Sequence, residues 1–344
     1  MYFYRQIFFP FLIPMSWIYG CIIWIRNQFY NWKWIKTTSF DKPVISIGNI
    51  TSGGTGKTPL VIYLAQLLLK NGKNPGIISR GYGRKSQGVQ IVHDGKKLLI
   101  DAETSGDEPY LMARVLDNVP VIVCEDRSSG IQQLLNYYSV NVIIMDDSFQ
   151  HRKVNRDLDI VTISANEKQE NYQLIPRGNL REPLKNIKRT NLLVYTKTEN
   201  YETPIIHSKI QPIYKGIIIK SSLEAILMQY DISGYHKTPV PDKSLFAFCG
   251  IAEPDSFINY TMKLGLKIEG IKLFRDHKNY TKTIIKQLSE QIRKSSSKSV
   301  VTTEKDLVKL PDSFLAEFKV YVIKINVVFE NESIIKDIIQ LLLN

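Results

Sequence analysis

Cysteine is scarce in this chain. Cys21, Cys124 and Cys249 are far apart and odd in number, which argues against a disulfide framework and fits a reducing compartment. No Cys/His cluster has metal-ligand spacing, so these residues imply no protein-held metal centre. No segment is of low complexity. Acidic residues are in deficit, 33 against 45 basic ones, for a formal net charge of +12. An anionic partner is therefore expected: a nucleotide, a nucleic acid or an acidic lipid headgroup. Hydrophobic content of 44% is ample for a packed core, and 344 residues are long for one domain and comfortable for two.

What the chain does have is one stretch around which the rest is organised, Gly48-Asn49-Ile50-Thr51-Ser52-Gly53-Gly54-Thr55-Gly56-Lys57-Thr58-Pro59. It follows an apolar run, Val44 to Ile47, and precedes an apolar helical pattern, Leu60 to Leu69. Strand, glycine-rich turn and helix form the context that a phosphate-binding loop requires. Glycines let backbone N–H groups approach a polyphosphate, and the helix N-terminus adds its positive dipole end. Thr51, Ser52, Gly53, Gly54, Thr55, Gly56, Lys57 and Thr58 are the nucleotide-binding candidates, with Lys57 reaching the terminal phosphates and the Thr58 hydroxyl directed to Mg²⁺. Thr51 stands where the first glycine is expected. An ordinary glycine-rich turn is the alternative, and the adjoining Gly-Lys-Thr weighs against it. The chain is expected to bind ATP or GTP, with Mg²⁺ brought by the nucleotide as the only metal implied.

Charge is missing from Gln6 to Ile25, and all four tryptophans lie in this stretch or just after it, at Trp17, Trp24, Trp32 and Trp34. Twenty residues as a helix would span about 30 Å, enough for a bilayer core. Pro10 and Pro14 interrupt the segment, however, and interior proline costs a helix about 3 kcal/mol. Arg26, Lys33, Lys36 and Lys42 follow closely. Aromatic residues belong at headgroup level and cations beside it. This describes a helix lying in the membrane interface rather than crossing it. A signal peptide is poorly matched, a lipoprotein site at Gly20-Cys21 would strand a nucleotide site outside the cell, and a buried core helix is the plain alternative.

Beyond the loop, apolar runs recur at Gly76 to Ser79, Val119 to Cys124, Val142 to Met145, Leu158 to Ile163 and Asn191 to Tyr195. Helix-like stretches separate several of them, among them Glu108 to Leu116 and Arg127 to Tyr138. This alternation indicates a mainly parallel sheet covered on both faces, with ligands beyond the carboxyl ends of its strands. Arg80-Gly81-Tyr82-Gly83 follows one run, as a phosphate-approaching loop or a solvated turn. A hairpin is expected from Val89 to Ile100. Asp107-Glu108 opens a helix, where the dipole alone would favour acids. Asp146-Asp147 ends a strand, as metal-directing carboxylates of a phosphate-loop site do. Arg177 and Arg181 lie in a Pro-flanked basic loop suited to phosphate, although Arg181 could equally pair with Glu182 or cap a helix. Residues 206–242 read as a linker or ribbon. Strand, glycine turn and helix begin again at Leu245-Phe246-Ala247-Phe248-Cys249-Gly250, and Ile334 to Leu343 reads as a closing helix. His277, between Asp276 and Lys278, is the most reactive candidate of this second unit.

Taken in order, these motifs resemble one family, the tetraacyldisaccharide 4′-kinases of lipid A biosynthesis. The resemblance rests on the phosphate loop, Ser79-Arg80-Gly81-Tyr82-Gly83, Gly106-Asp107-Glu108-Pro109 and Asp146-Asp147-Ser148-Phe149-Gln150-His151. It continues through Leu180-Arg181-Glu182-Pro183, Asp276-His277 with Tyr280-Thr281, and Glu304-Lys305-Asp306. Thr51 is within that family's habit. The resemblance implies ATP-dependent phosphorylation of the 4′-hydroxyl of a tetraacyldisaccharide 1-phosphate, giving lipid IVA at the cytoplasmic face of the bacterial inner membrane. It places Asp107 as general base, oriented by His277, with Lys57 on the phosphates and Thr58, Glu108, Asp146 and Asp147 around Mg²⁺. Arg80, Tyr82, Arg127, Arg177 and Arg181 become substrate or nucleotide contacts. The expected architecture is α/β: an N-terminal membrane-associated helix (1–35), a phosphate-loop core with a mainly parallel sheet (36–205), a ribbon (206–242) and a smaller α/β domain (243–344), whose last helix may return to the core. An acylated disaccharide and the membrane surface are the expected partners, with no nucleic acid and no protein partner inferred. Two rivals remain at this point. A partitioning-type ATPase needs a lysine before the paired glycines, where this chain has Ser52, and a nucleotide-gated membrane adaptor would leave the acids without catalytic duty.

Overall fold

The computed structural model describes residues 9–199, 201–231, 233–276 and 278–343. Helix α1 (Phe9–Asn31) precedes β1 (Val44–Asn49), the glycine-rich loop and α2 (Lys57–Lys70). Then come β2 (Pro75–Ser79), β3 (Gln90–Asp94), α3 (Asp107–Val115), β4 (Pro120–Val123), α4 (Arg127–Tyr137), β5 (Val142–Asp146), β6 (Leu158–Ser164) and β7 (Leu192–Thr196). A long strand β8 (Ile217–Asp231), with β9 (Gly234–Lys237) hairpinned onto it, leads to β10 (Leu245–Cys249), α5 (Pro254–Lys263), β11 (Ile268–Leu273) and α6 (Lys282–Lys294). The chain closes with β12 (Ser299–Thr303), α7 (Glu304–Leu307), β13 (Lys319–Phe329) and α8 (Glu332–Leu343).

The described strands form one mixed, mostly parallel sheet in the order β11-β10-β12-β13-β8-β7-β6-β1-β5-β2-β4-β3. Strands β1, β2, β4, β5, β6 and β7 are buried along their whole length, which is why they read as continuous apolar runs. Helix α2 turns Leu60, Val61, Leu64, Ala65, Leu67 and Leu68 inward at helical spacing against this sheet. Its Pro59 lies in the first turn, where proline is tolerated.

Strand β8 does two jobs. Ile217 to Lys220 pairs parallel with β7, and Ser221 to Tyr230 pairs antiparallel with Phe329 to Val320 of β13. One ribbon thus carries the sheet from its phosphate-loop half to its second half. Residues just before it, Ile206, Ile210 and Tyr214, pack into the first half with Leu193 and Tyr195. Helix α8 also returns there, burying Ile335 and Ile339 beside Leu60 and Leu64. The stretch read as a hairpin does turn back at Asp94-Gly95, with an antiparallel bridge from His93 to Leu98 and Leu99 N donating to Val92 O at 2.9 Å, and β3 also pairs antiparallel with β4.

Among the described residues no helix is long and apolar enough to cross a membrane. Helix α1 is not a core helix either. It turns polar groups inward, with Ser16 donating to Leu174 O at 3.0 Å and Tyr19 to Arg181 O at 2.8 Å. Its apolar residues Trp17, Ile18 and Ile22 face outward, at 71%, 62% and 58% exposure. The helix is fastened by Glu182, whose side chain has no exposed surface and accepts from Arg26, Asn186 and Arg189 at 2.7–2.8 Å and from Asn27 at 3.3 Å. Removing one partner of a buried charge network costs about 3–5 kcal/mol, and the half-open Arg26 places this site at the low end. Glu182→Ala is expected to lose about 3 kcal/mol in chemical denaturation, whereas a change within 0.5 kcal/mol would show that α1 is fastened elsewhere.

Candidate active site

The loop between β1 and α2 is built to leave its face open. Gly56, with φ +77°, turns the chain into α2 in a conformation other residues enter at a cost. The loop's own polar groups are tied from behind. Ser52 N and Oγ both donate to Asn179 O (2.7 and 3.0 Å), Thr51 bridges Leu180, and Thr55 shares a 2.8 Å hydroxyl contact with Thr162. Ser52 therefore serves the loop's packing, at the place where a partitioning ATPase would carry lysine.

Two acids, one ending β5 and one following it, part company. Asp147, in the left-handed region at φ +47°, turns to the loop, 3.4 Å from the Lys57 ammonium. Arg181 grips it with 2.9 Å contacts to both carboxylate oxygens, instead of pairing with Glu182 or capping a helix. Burial works to raise the Asp147 pKa, yet Lys57 and Arg181 hold it below the usual carboxylate range. Asp146 is buried. Its Oδ2 accepts from Ser79 Oγ at 2.9 Å, and its Oδ1 has no hydrogen-bond partner. Burial, with Asp147 next to it, pushes its pKa up to about 6 against the pull of Lys57.

Asp107 and Glu108 reach the same region from α3. The preceding Gly106, at φ +91°, lies so close to Gly81 that a Cβ would stand 3.1 Å from its backbone. Only glycine lets the loop after β2 and the start of α3 meet. Asp107 is nearly buried and receives Lys309 Nζ at 2.6 Å, while Glu108 receives Lys305 Nζ at 3.1 Å. Both lysines come from α7 and the turn after it, in the second half of the sheet. Asp306, buried between them, holds that turn by accepting from Gly250 N, Tyr280 Oη and Thr303 Oγ1 at 2.7–2.9 Å. Asp107 and Glu108 do stand in the first turn of α3, as the dipole reading expects, and Asp107 is paired with a lysine as well.

Arg127 is buried, donates to Glu125 O at 3.1 Å, and feels both Asp146 and Asp147 and the nearby Arg80. Tyr82 is 72% exposed at its loop tip. Arg177 lies in the loop that meets α1, its backbone N donating to Ser16 Oγ at 3.2 Å. His277 lies outside the described residues; its neighbour Asp276 stands 3.4 Å from Lys305 Nζ. Ser79, Lys305 and Lys309 were missed from sequence as site residues. Ser79 and Lys305 each stood in a recognised motif without a role, and nothing local marks Lys309.

A phosphate loop, a strand-end acid pair and a second acid pair that reaches the same region from α3 define a nucleotide-dependent phosphotransferase. A profile of the LpxK family, tetraacyldisaccharide-1-P 4′-kinase, matches residues 8–343, and the chain belongs to that family. Tetraacyldisaccharide 4′-kinase of Desulfotalea psychrophila is 37% identical over 332 residues, 92% of each chain. The protein of the same name from Chlorobaculum parvum is 37% identical over 306 residues, 88% of this chain and 84% of its own. A crystal structure of LpxK from Aquifex aeolicus in complex with ATP superposes with a TM-score of 0.83 at 34% identity, covering 99% of both chains.

The motif after the acid pair carries a pH signature. His151 is partly buried with Nε2 unpartnered, and burial, with Arg127 and Arg156 next, lowers its pKa from 6.5 to about 4. The fold therefore favours neutral imidazole. The associated stability is present above pH 6.5 and is lost as pH falls toward 4. Because part of the ring is open, it amounts to about 2 kcal/mol at most. His151→Asn is expected to flatten the loss of denaturation free energy between pH 6.5 and 4; an unchanged slope would remove His151 as its source.

Proposed function

We propose that the chain transfers the γ-phosphate of ATP to the 4′-hydroxyl of a tetraacyldisaccharide 1-phosphate, forming lipid IVA in lipid A biosynthesis. The observation that carries this is the meeting of the phosphate loop and Asp146-Asp147 with Asp107-Glu108, in a chain of this family. Lys57 and the loop amides hold the phosphates. Asp107 takes the proton of the sugar hydroxyl as its oxygen attacks the γ-phosphorus, and ADP leaves. Lys309 keeps that carboxylate in place, and His277 is assigned on the sequence pattern alone to orient it. Arg80, Tyr82, Arg127, Arg177 and Arg181 are assigned to phosphates of nucleotide or substrate.

Among the described residues no three His, Cys, Asp or Glu side chains could hold a metal by themselves. That suits Mg²⁺, which takes one or two carboxylates together with phosphate oxygens. Thr58 with one or two of Glu108, Asp146 and Asp147 would hold it, and the unpartnered buried Oδ1 of Asp146 fits a cation. When bound, Mg²⁺ neutralises charge on the transferred phosphoryl group.

We treat 36–205 and 243–344 as two domains joined through the β8–β13 ribbon. On this reading the lysine-to-acid contacts are where they close and exclude water. Helix α1 rests in the interface of the cytoplasmic leaflet, its outward Trp17, Ile18 and Ile22 among acyl chains, so that the substrate's chains need not leave the bilayer.

Three measurements test these assignments. Full-length protein with labelled ATP and tetraacyldisaccharide 1-phosphate in mixed micelles is expected to form a bisphosphorylated lipid, and absence of transfer would reject the activity. Asp107→Asn should lower kcat about 10²–10⁴-fold while ATP still binds; wild-type turnover would dismiss it as base. Changing Trp17, Ile18 and Ile22 to Gln leaves the Glu182 network intact and should reduce vesicle co-flotation about tenfold or more. Undiminished flotation would place the membrane contact elsewhere.

A further inference from the structure

An open cavity of about 760 Å³, within the size range of small-molecule sites, lies where the two halves of the sheet meet beside α3. No residue of the phosphate loop lines it. The first half supplies Asp101, Glu103 and Tyr110, and the second half supplies one face of α6 and the stretch after α7. On α6, Lys282, Lys286 and Ser289 recur at helical spacing and all line the cavity.

The charges around the cavity are unequally matched. Asp101 accepts from Thr104 N at 2.8 Å, Glu103 is paired with Lys85, and Arg293 meets Glu317 at 2.6 Å. Lys282 and Lys286 are exposed and have no ion-pair or hydrogen-bond partner among the described residues. Ser289, one turn further along, is only 5% exposed, and its hydroxyl likewise has no partner among the described residues. A polar group enclosed to that degree is normally paired. The N-terminus of α6, capped by Thr281, adds its positive dipole end to the same rim. Buried Tyr110, Val308 and Leu310 make other parts of the wall apolar. Two unneutralised ammonium groups beside a buried hydroxyl suit a dianion, and the apolar wall suits a hydrophobic body attached to it.

We infer that this cavity binds a small phosphate monoester with an apolar or aromatic body. Its phosphate lies on Lys282, Lys286 and Ser289, and its body rests against Tyr110, Val308 and Leu310. One residue connects the cavity to the acids of the active site. Lys309 also lines it, with Nζ 2.6 Å from Asp107 Oδ2. An anion in the cavity competes with Asp107 for that ammonium, so occupancy loosens the carboxylate and lowers turnover without touching the nucleotide loop. Binding stands apart from the proposed activity, whereas the effect on turnover rests on Asp107 as base.

The test uses full-length protein saturated with a non-hydrolysable ATP analogue and Mg²⁺, so that the phosphate loop is filled, and phenyl phosphate as the probe in calorimetric titration. Lys282→Gln combined with Lys286→Gln removes both charges at exposed positions and spares the core. The double variant is expected to bind phenyl phosphate about tenfold or more weakly than wild type, and wild type to bind inorganic phosphate about tenfold more weakly for want of a ring. No binding, or binding that the double variant leaves unchanged, would overturn the site. Equal affinity for inorganic phosphate would overturn the apolar body. In initial-rate transfer, saturating phenyl phosphate should lower wild-type kcat about tenfold, part of what a general base supplies, with KM for ATP within about twofold. The double variant should keep the wild-type rate and resist the probe. An unchanged kcat, or a raised KM for ATP, would overturn the coupling through Lys309. Absence of transfer without any probe would instead reject the proposed activity and leave the titration standing.

Discussion

A carboxylate with no exposed surface needs compensation on every side, and Glu182 finds it in two guanidinium groups and two side-chain amides. Burial works to raise its pKa, but Arg189 and Arg26 hold it below the usual range, so it stays ionised. Its immediate neighbour Arg181 donates its backbone N to Ile50 O at 2.8 Å and its side chain to Asp147. Two adjacent residues therefore fix α1 on one side and the Asp147 end of the phosphate loop on the other. A shift of α1 along its axis would have to break the Arg26 contact or drag this loop with it. On the proposed function, the membrane-facing element and the nucleotide loop share one mechanical joint.

That joint explains why α1 is unlike an ordinary surface helix. Its buried positions, Ser16, Ile23 and Asn27, are largely polar, and its large apolar side chains point away from the protein. Burying three such side chains elsewhere would yield several kcal/mol, so leaving them in water is unfavourable unless another apolar phase receives them. The absence of charge from Gln6 to Ile25 was visible in sequence. Which face turned inward was not, because the inward partners, Leu174, Arg181 and Glu182, lie some 150 residues further on.

The same division runs through the fold and the site. Continuous apolar runs identified the buried parallel strands, since burial on both faces leaves no alternation to confuse the reading. Mixed segments were harder: β3 has partly exposed positions and pairs with β4 as well as with its own short hairpin partner, and β8 is half-exposed on much of its length. At the site, Lys57 and Asp147 were legible because loop and strand end each carry local chemistry. Lys309 was not, since its only signal is an acid about 200 residues earlier. Arg181 was read as a phosphate residue, but its pairing with Asp147 rather than Glu182 depends on Glu182 being claimed by α1.

The charges brought together follow a pattern that bears on nucleotide entry. Asp107, Glu108 and Asp147 would form a strongly negative wall opposite the loop if left alone. Each instead faces a cation: Lys309, Lys305, and Lys57 with Arg181. Asp146 has Ser79 and an unpartnered oxygen, and burial favours its protonated form. The wall is thus nearly neutral before ATP arrives, and an anionic substrate is not turned away. Two of the neutralising lysines belong to the second half of the sheet, so separating the halves would uncover the acids and bringing them together covers them. On the proposed mechanism the docked state is the one whose balanced charges tolerate bound phosphate, and opening leaves a carboxylate surface that repels it.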